Sequence, residues 1–507
     1  MPSSTNILIA GAGPTGLTAA ILFAQAGIKI RIIDKNVHRV FESRAPAIQS
    51  RTLELFEKLG VIDDVLKAGN KNLGINVCLN GKVKAHMSIR DSGLDTPYPF
   101  VLFLPQYETE KILEAKLNSF GIFVERETEL LDFMQDEKSV ESKIKNKTGS
   151  TEIITSNFIL GCDGAHSTVR HKLGLKFEGA PYEQNFLLAD VNVEWDFKQH
   201  ELYGFLSRTG TLVFFPMPGG NRYRLVIISH ECALDNEEEP TLELIQELTD
   251  EITKRKIILS DSVWLKRFRL SHRGVENYRK GRAFLCGDAA HIHSPAGGQG
   301  MNTGIQDAFN LVWKVAAVLK DEADEKILDT YDEERKPIGR ILLKRTDGFF
   351  RVIVVKNPVF VAIRNFLFPL GAKLISRFVS LRRRALIFIS QIGIHYEFSS
   401  AVKTESKSKT ILRAGRRVPD LKLTNDRNEE IRLFDLIKDY KYHLVLFNTN
   451  ESPFKKNYET IKITSDSNKD KTDFYFDVNG EFRKKFGVEK GIFLIRPDGY
   501  LEYASDR

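Results

Sequence analysis

The feature that most constrains this chain lies in its first 35 residues. Asn6 to Ala10, N-I-L-I-A, is a short apolar run that reads as a buried strand. G-A-G-P-T-G, Gly11 to Gly16, follows at once, then the helix-like T-A-A-I-L-F-A-Q-A-G, then a second apolar run, I-K-I-R-I-I, ending in Asp34. Each glycine has its own physical reason. Gly11 permits a tight turn, Gly13 lets backbone amides approach a pyrophosphate, and Gly16 lets helix and strand pack closely. The helix start turns free N–H groups and a positive dipole end toward the anion. Asp34, 23 residues after Gly11, stands where an acid accepts the ribose hydroxyls of an adenosine. Pro14, Thr15 and Lys35 flank these positions and join them as candidate cofactor contacts. Strand, helix, strand and acid in this order predict a dinucleotide site. The acid implies an unphosphorylated ribose, hence NAD or FAD, and the motif does not separate the two.

The rest of the chain is that of a globular protein. Of its 507 residues, 42% are hydrophobic and 28% charged, which excludes collagen, a continuous coiled coil and wholesale disorder. Four scattered cysteines (Cys78, Cys162, Cys232, Cys286) without a C-x-x-C favour a reducing, cytosolic setting. The start lacks a basic n-region, so no secretory leader is expected. No run of 18 uncharged apolar residues occurs, so no spanning helix is expected either. Strand-like runs at 6–10, 28–34, 158–162 and 283–286 alternate with helix patterns at 15–26, 50–59, 107–120 and 303–320. Residues 186–229 differ, with strand runs joined by Gly/Asn turns that read as an inserted antiparallel sheet.

Two more glycine motifs follow. F-I-L-G-C-D-G-A-H-S-T-V-R (158–170) delivers Asp163 and Gly164 to a turn, with Ser167 as a helix cap. G-R-A-F-L-C-G-D-A-A-H-I-H-S-P-A-G-G-Q-G-M-N-T-G (281–304) ends a strand at Gly287 and Asp288 and opens a long helix through a glycine-rich loop. So many glycines at one helix start permit close backbone approach to something bulky. His291 and His293 have no third ligand cluster nearby, so no metal is expected. Cys162 and Cys286 read as small packing residues on buried strands.

The three motifs, in this order over about residues 5–345, resemble the class A FAD-dependent aromatic hydroxylases, the group of para-hydroxybenzoate hydroxylase and phenol hydroxylase. The resemblance implies FAD at the first loop, with Asp34 on the ribose and Asp288 on the ribityl chain. It implies Pro295, Gly298, Gly300, Met301 and Asn302 around the isoalloxazine, and Asp163 in a segment that also serves NADPH or NADH. S-R-A-P-A-I-Q-S-R (43–51) and L-P-Q-Y-E-T-E-K-I-L (104–113) match segments in which the residues here numbered Arg44 and Gln106 reach FAD. Arg51 and Glu54 otherwise read as helix-surface charges. The implied activity is monooxygenation of an aromatic, phenolic or polyketide-like small molecule through a flavin hydroperoxide, with NAD(P)H and O2 consumed. No catalytic side chain or substrate-deprotonating base is identified. Phe214, Phe215 and Pro216 are candidate substrate contacts or sheet core. The alternatives are a same-fold flavin reductase without oxygen insertion and a flavin-less scaffold.

The expected fold is α/β: a Rossmann-like FAD-binding core (1–345) with an inserted substrate-covering sheet (about 75–105 and 180–275), a helical connector (346–398), and a C-terminal block (410–507). That block, with V-P-D-L-K-L and G-I-F-L-I-R-P-D-G-Y-L, resembles the thioredoxin-like domain of phenol-hydroxylase-type members, with T-N-E-S-P-F where redox cysteines would stand. The net charge of +7 is uneven. Residues 344–417 hold sixteen Lys/Arg against three Asp/Glu, a net +13 that leaves the remainder at −6. Nucleic acid is therefore not an expected partner. The connector reads as packed linking helices with arginines on the wet face, or as a peripheral contact with the inner membrane face. A monomer or homodimer is expected.

Overall fold

The computed structural model describes residues 3–39, 45–89, 93–229, 239–292, 298–355, 357–466 and 473–507. Three motif-bearing strands lie side by side. Ile7–Ala10 pairs in parallel with Ile30–Ile33 on one edge and with Phe158–Gly161 on the other, and Phe158–Gly161 pairs in parallel with Ala283–Leu285. Arg279–Lys280 closes this five-stranded sheet as an antiparallel edge. Parallel strands buried on both faces read as continuous apolar runs, and all four residues of Ile7–Ala10 and of Phe158–Gly161 are buried. Because the strands run the same way, their carboxyl ends deliver Gly11, Asp163 and Gly287 to one rim of the sheet.

Two helices cover the sheet. Pro14–Gln25 follows the first glycine loop, and Gly300–Leu319 follows the last. The second is buried without interruption from Met301 to Ala316, as befits a helix enclosed on all sides. A mixed eight-stranded sheet stands beside this core. It takes Gly74–Leu79 and Lys82–Ser88 from the early chain and five further strands between Phe177 and Val275, with His291–Ile292 at its edge. Its pairs are antiparallel except one, Leu202–Leu206 with Gly74–Leu79, because these two strands reach the sheet by a long crossover. Trp195 anchors its core, with the rings of Phe214, Tyr223, Tyr203 and Phe197 at 4.7–5.3 Å. That core lies under the helix Leu242–Thr253, which buries Ile245, Leu248 and Ile252 against it.

The connector is helical. Thr330–Ile353 runs across residue 345, followed by Pro358–Arg377 and Val379–Ser390. Pro358 starts its helix under the Asn357 cap, but Pro369 sits inside the same helix and does not end it. By length and composition, Pro358–Arg377 is apolar enough to cross a membrane. The C-terminal block forms its own eight-stranded sheet around Val445, Phe447, Ile463, Phe493 and Ile495.

Candidate active site

The rim of the parallel sheet opens into a cleft of about 230 Å³ lined by Gly11, Gly13, Asp34, Lys35, Gln106 and Asp163, among others. Gly11 is at φ +101°, and a Cβ there would stand 2.3 Å from the Cys162 carbonyl oxygen, so only glycine lets the loop ride on the neighbouring strand end. A Cβ on Gly16 would stand 2.0 Å from the Gly11 oxygen, which fixes the close helix–loop contact. Gly13 is different: a Cβ there meets no protein atom within 4 Å. Asp34 holds the loop from below, its carboxylate accepting from the Ala12 and Asn36 N–H groups at 2.8 Å each.

Asp163 turns its Oδ2 to the Thr168 N–H at 2.7 Å, while Ser167 Oγ accepts from the Arg170 N–H at 3.0 Å, so the two residues share the cap of the helix Thr168–Lys172. Its Oδ1 is buried without a hydrogen-bond partner, and burial pushes the carboxyl above the usual range. Gln106 donates from Nε2 to Glu110 at 2.9 Å. Burial raises the Glu110 carboxyl to about 7. Glu110 also lines the cleft and was not foreseen from sequence, since an acid on an amphipathic helix carries no local sign of burial.

The last motif is tied to the first. Gly287, at φ +62°, and Gly304 both pack on Thr15, and added Cβ atoms would lie 2.7 and 2.3 Å from its Oγ1. The two glycine loops therefore form one surface. Asp288 is exposed beside the turn. Gly298, at φ +61°, lies against Ala47, where a Cβ would come within 2.7 Å of the Ala47 Cβ. A Cβ on Gly300, like one on Gly13, meets nothing within 4 Å. Met301 is buried behind it. Asn302 commits its side chain to backbone: Nδ2 donates to Ala47 O and Gly298 O, and Oδ1 accepts from the Gln49 N–H, all at 2.8 Å. Arg44 and Pro295 lie outside the described residues, as does His293.

Behind the turn, Asp307 accepts from the Gly287 N–H at 3.0 Å and from Arg335 at 2.7 Å, and lies 2.6 Å from His291 Nε2. Among the described residues no cluster of three or more His, Cys, Asp or Glu is arranged for a metal.

Strand alternation divides the candidate run: Phe214 packs into the aromatic core, with Pro216 on the same side, whereas Phe215 turns to Phe103 at 5.6 Å. Phe215 and Phe103 join Ala47, Met217 and Leu386 in a cluster beside the Gly298 loop. Arg51 and Glu54 are not surface charges but are each 2% exposed, paired to one another at 2.8 Å beneath the C-terminal block, where Arg51 donates to Asp498 O at 2.6 Å. In the connector Arg364 is buried, while Lys373, Arg377, Arg383 and Arg384 stand on the wet face together with exposed apolar side chains.

A dinucleotide fits this site. Both helices begin without a side-chain cap, at Gly13 and Gln299, and Cβ atoms built on Gly13 and Gly300 meet no protein atom within 4 Å, so space is left beside both helix starts. The orphaned Asp163 oxygen adds a buried acceptor at the same rim.

Comparison with known proteins follows the same line. Residues 4–346 match the family described as FAD binding domain. The chain is 31% identical to 6-methylpretetramide 4-monooxygenase of Streptomyces rimosus, over 99% of this chain and 91% of that protein. It is 30% identical to pentachlorophenol 4-monooxygenase of Sphingobium chlorophenolicum, over 98% and 93%. Among solved structures it resembles the OxyS anhydrotetracycline hydroxylase from Streptomyces rimosus, at 27% identity and a TM-score of 0.76, over 99% and 96% of the two chains.

Proposed function

We propose, for a chain that belongs to the FAD-binding-domain family, that the cleft holds FAD across both glycine loops and that the Phe215 side of the mixed sheet covers an aromatic or polyketide-like substrate. The protein is a flavin-dependent monooxygenase with an α/β fold of the flavin hydroxylases. FAD, reduced by NAD(P)H, supplies O2 activation and oxygen transfer to an electron-rich ring. The chain supplies binding and exclusion of water. On this reading the first-turn amides after Gly13 hold the pyrophosphate and Asp34 the ribose. Asp288 takes the ribityl chain, and Gln106 and Asp163 line the dinucleotide. The uncapped helix start at Gly300 stabilises negative charge on the ring system. The apolar cluster of Phe103, Phe215, Met217 and Leu386 keeps the reacting space dry.

The observation that carries this reading is the convergence of three strand ends and two uncapped helix starts on one rim. The relatives named for 6-methylpretetramide and pentachlorophenol support a phenolic or fused-ring substrate. NAD(P)H consumption is to be measured over a panel of phenols, quinols, tetracyclines and ansamycins. One compound should stimulate it and gain a single oxygen atom from O2. Full turnover without O2 would overturn the reading in favour of a reductase. The C-terminal block is read as a thioredoxin-like module without redox chemistry, since no cysteine follows Cys286.

A second reading concerns the connector, and one observation favours it. Arg364 is only 4% exposed, donating to Ser207 O at 2.7 Å, while Phe360, Phe366, Leu367 and Leu370 on the same helix are 51–68% exposed. This apolar face lies between exposed Lys373, Arg383 and Arg384 in a segment of net +13. A second copy would bring the same charge against itself, whereas an anionic lipid surface complements both features. The protein is thus read as a cytoplasmic enzyme that touches the inner membrane face. Phosphatidylglycerol vesicles should retain it at low salt and release it at high salt, and Phe366→Asp should abolish retention. Absent retention, or self-association through this face in light scattering, would overturn the reading.

A further inference from the structure

Among the described residues, none of the C-terminal block lines the cleft, yet its charges lead to the Gly287 turn. Arg496, of R-P-D-G-Y, is fully buried and donates to both carboxylate oxygens of Glu334, at 2.7 and 3.2 Å. Lys314, Ser399 and Asn310 also donate to Glu334, at 3.0, 2.8 and 2.5 Å. The next residue of that helix, Arg335, donates through Nε to Asp307 Oδ1 at 2.7 Å and through Nη2 to Thr303 O at 3.1 Å. The other Asp307 oxygen accepts from the Gly287 N–H. A second route reaches the same arginine. Arg335 Nη1 donates to the Tyr396 hydroxyl at 2.9 Å, and Tyr396 in turn packs on Tyr500 at 4.5 Å and donates its N–H to Gly415 O at 2.8 Å.

We infer that Arg335 and Asp307 are positioning residues for FAD, and that the C-terminal block sets their geometry through Arg496 and Tyr396. Both side chains are 0% exposed, and ions taken out of water are stable only while their partners keep near-ideal geometry. A shift of the helix that carries Glu334 and Arg335 therefore moves Asp307. Asp307 holds the turn whose glycine already touches Thr15 of the first loop. The C-terminal block acts on the flavin from behind, without touching it. This rests on the reading of the cleft as a FAD site.

The interface supplies its own control. Arg432 also crosses it, to Glu57, and its other ion-pair partners among the described residues, Asp420 and Asp435, lie within the C-terminal block. Apo-protein is to be prepared from wild type, Arg496→Lys, Tyr396→Phe and Arg432→Lys and titrated with FAD by fluorescence. The temperature increment that FAD adds to unfolding is the second readout, and the midpoint potential of the bound flavin the third. Arg496→Lys should weaken FAD about ten-fold, as expected for loss of a charged hydrogen bond, and Tyr396→Phe by about three-fold. Both should shrink the FAD increment and shift the potential. Arg432→Lys should lower the apo-protein's unfolding temperature while leaving FAD affinity within about two-fold. Equal weakening by Arg496→Lys and Arg432→Lys, or none by either, would overturn the relay. If Arg496→Lys does not fold, Tyr396→Phe against Arg432→Lys decides. Wild type that binds no FAD would overturn the flavin reading itself, a distinct result.

Discussion

Gly13→Ala separates the role of the first loop in the fold from its role in binding. Gly13 has φ −74° and ψ −177°, a conformation open to any residue. Its added methyl would meet no protein atom within 4 Å. Apo-protein should therefore gain stability, by roughly 0.4–1 kcal/mol, because alanine restricts the unfolded chain. FAD should respond in the opposite sense. A pyrophosphate oxygen bound at about 2.9 Å to a first-turn amide cannot coexist with a methyl in that space. Losing one charge-assisted hydrogen bond costs about 1.5–3 kcal/mol, which weakens FAD by about ten- to a hundred-fold. Gly16→Ala is the contrast. Its Cβ would stand 2.0 Å from the Gly11 carbonyl oxygen, so the backbone must move. Such overpacking costs about 1–3 kcal/mol of apo stability before any ligand is considered. Urea unfolding of the apo-proteins and fluorescence titration with FAD give both quantities. Gly13→Ala protein that binds FAD like wild type would refute amide–pyrophosphate contact at this loop. Apo Gly13→Ala less stable than apo Gly16→Ala would refute the steric reasoning.

The Thr15–Gly304 contact predicts coupling: Gly304→Ala, whose Cβ would lie 2.3 Å from Thr15 Oγ1, should destabilise by about 1–3 kcal/mol, and Thr15→Ala in the same chain should restore about half. Thermal unfolding of the two singles and the double completes the cycle. Glu110 predicts loss of stability on going up in pH. Burial raises its carboxyl from 4.5 to about 7, so between those values the unfolded chain has lost a proton that the folded chain keeps. Stability should fall across that window by up to ~3 kcal/mol, and Glu110→Gln should flatten the curve. His443 predicts the reverse window, because burial and the adjacent Lys58 ammonium depress it from 6.5 to about 4. The unfolded chain then binds the extra proton, so stability is lost as pH falls from 6.5 toward 4, and His443→Leu should remove that component in acid denaturation.

The parts of the site legible in sequence are those whose cause is local. A glycine that must turn, admit an amide or accept a helix is constrained by its immediate neighbours, and Gly11, Gly16 and Gly287 each meet such a neighbour within 2.7 Å. The alternation of Phe214 and Phe215 was equally legible, but period two says only that they face opposite ways. Which side is core depended on where the helix Leu242–Thr253 packs. Arg51 and Glu54 were misread because an i, i+3 charge pair has the same spelling whether solvent or another domain covers it. Arg364 departs from the wet face expected of the connector's arginines because a basic, apolar helix gives no sign of which face the sheet edge takes. The C-terminal block decides the first case and the mixed eight-stranded sheet the second, and neither is near in sequence.

The hidden network left no sign in sequence. In the stretch I-Q-D-A-F-N-L-V-W-K-V, Ile305 to Val315, the polar residues Gln306, Asp307, Asn310 and Lys314 fall on one helical stripe, which has the spelling of a wet face. The structure buries all four, and buried ions require partners, a cation for Asp307 and an anion for Lys314. Arg335 and Glu334 meet those demands from consecutive positions on one helix. Two ion pairs of opposite order, set side by side, leave little net charge in the core. Each nevertheless makes the helix Thr330–Ile353 answerable to a different surface, Arg335 to the flavin turn and Glu334 to Arg496. A helix gripped on both sides by buried charge cannot rotate or slide without unpairing one of them. That restraint is why a domain remote from the cleft can govern how tightly the cleft holds its cofactor.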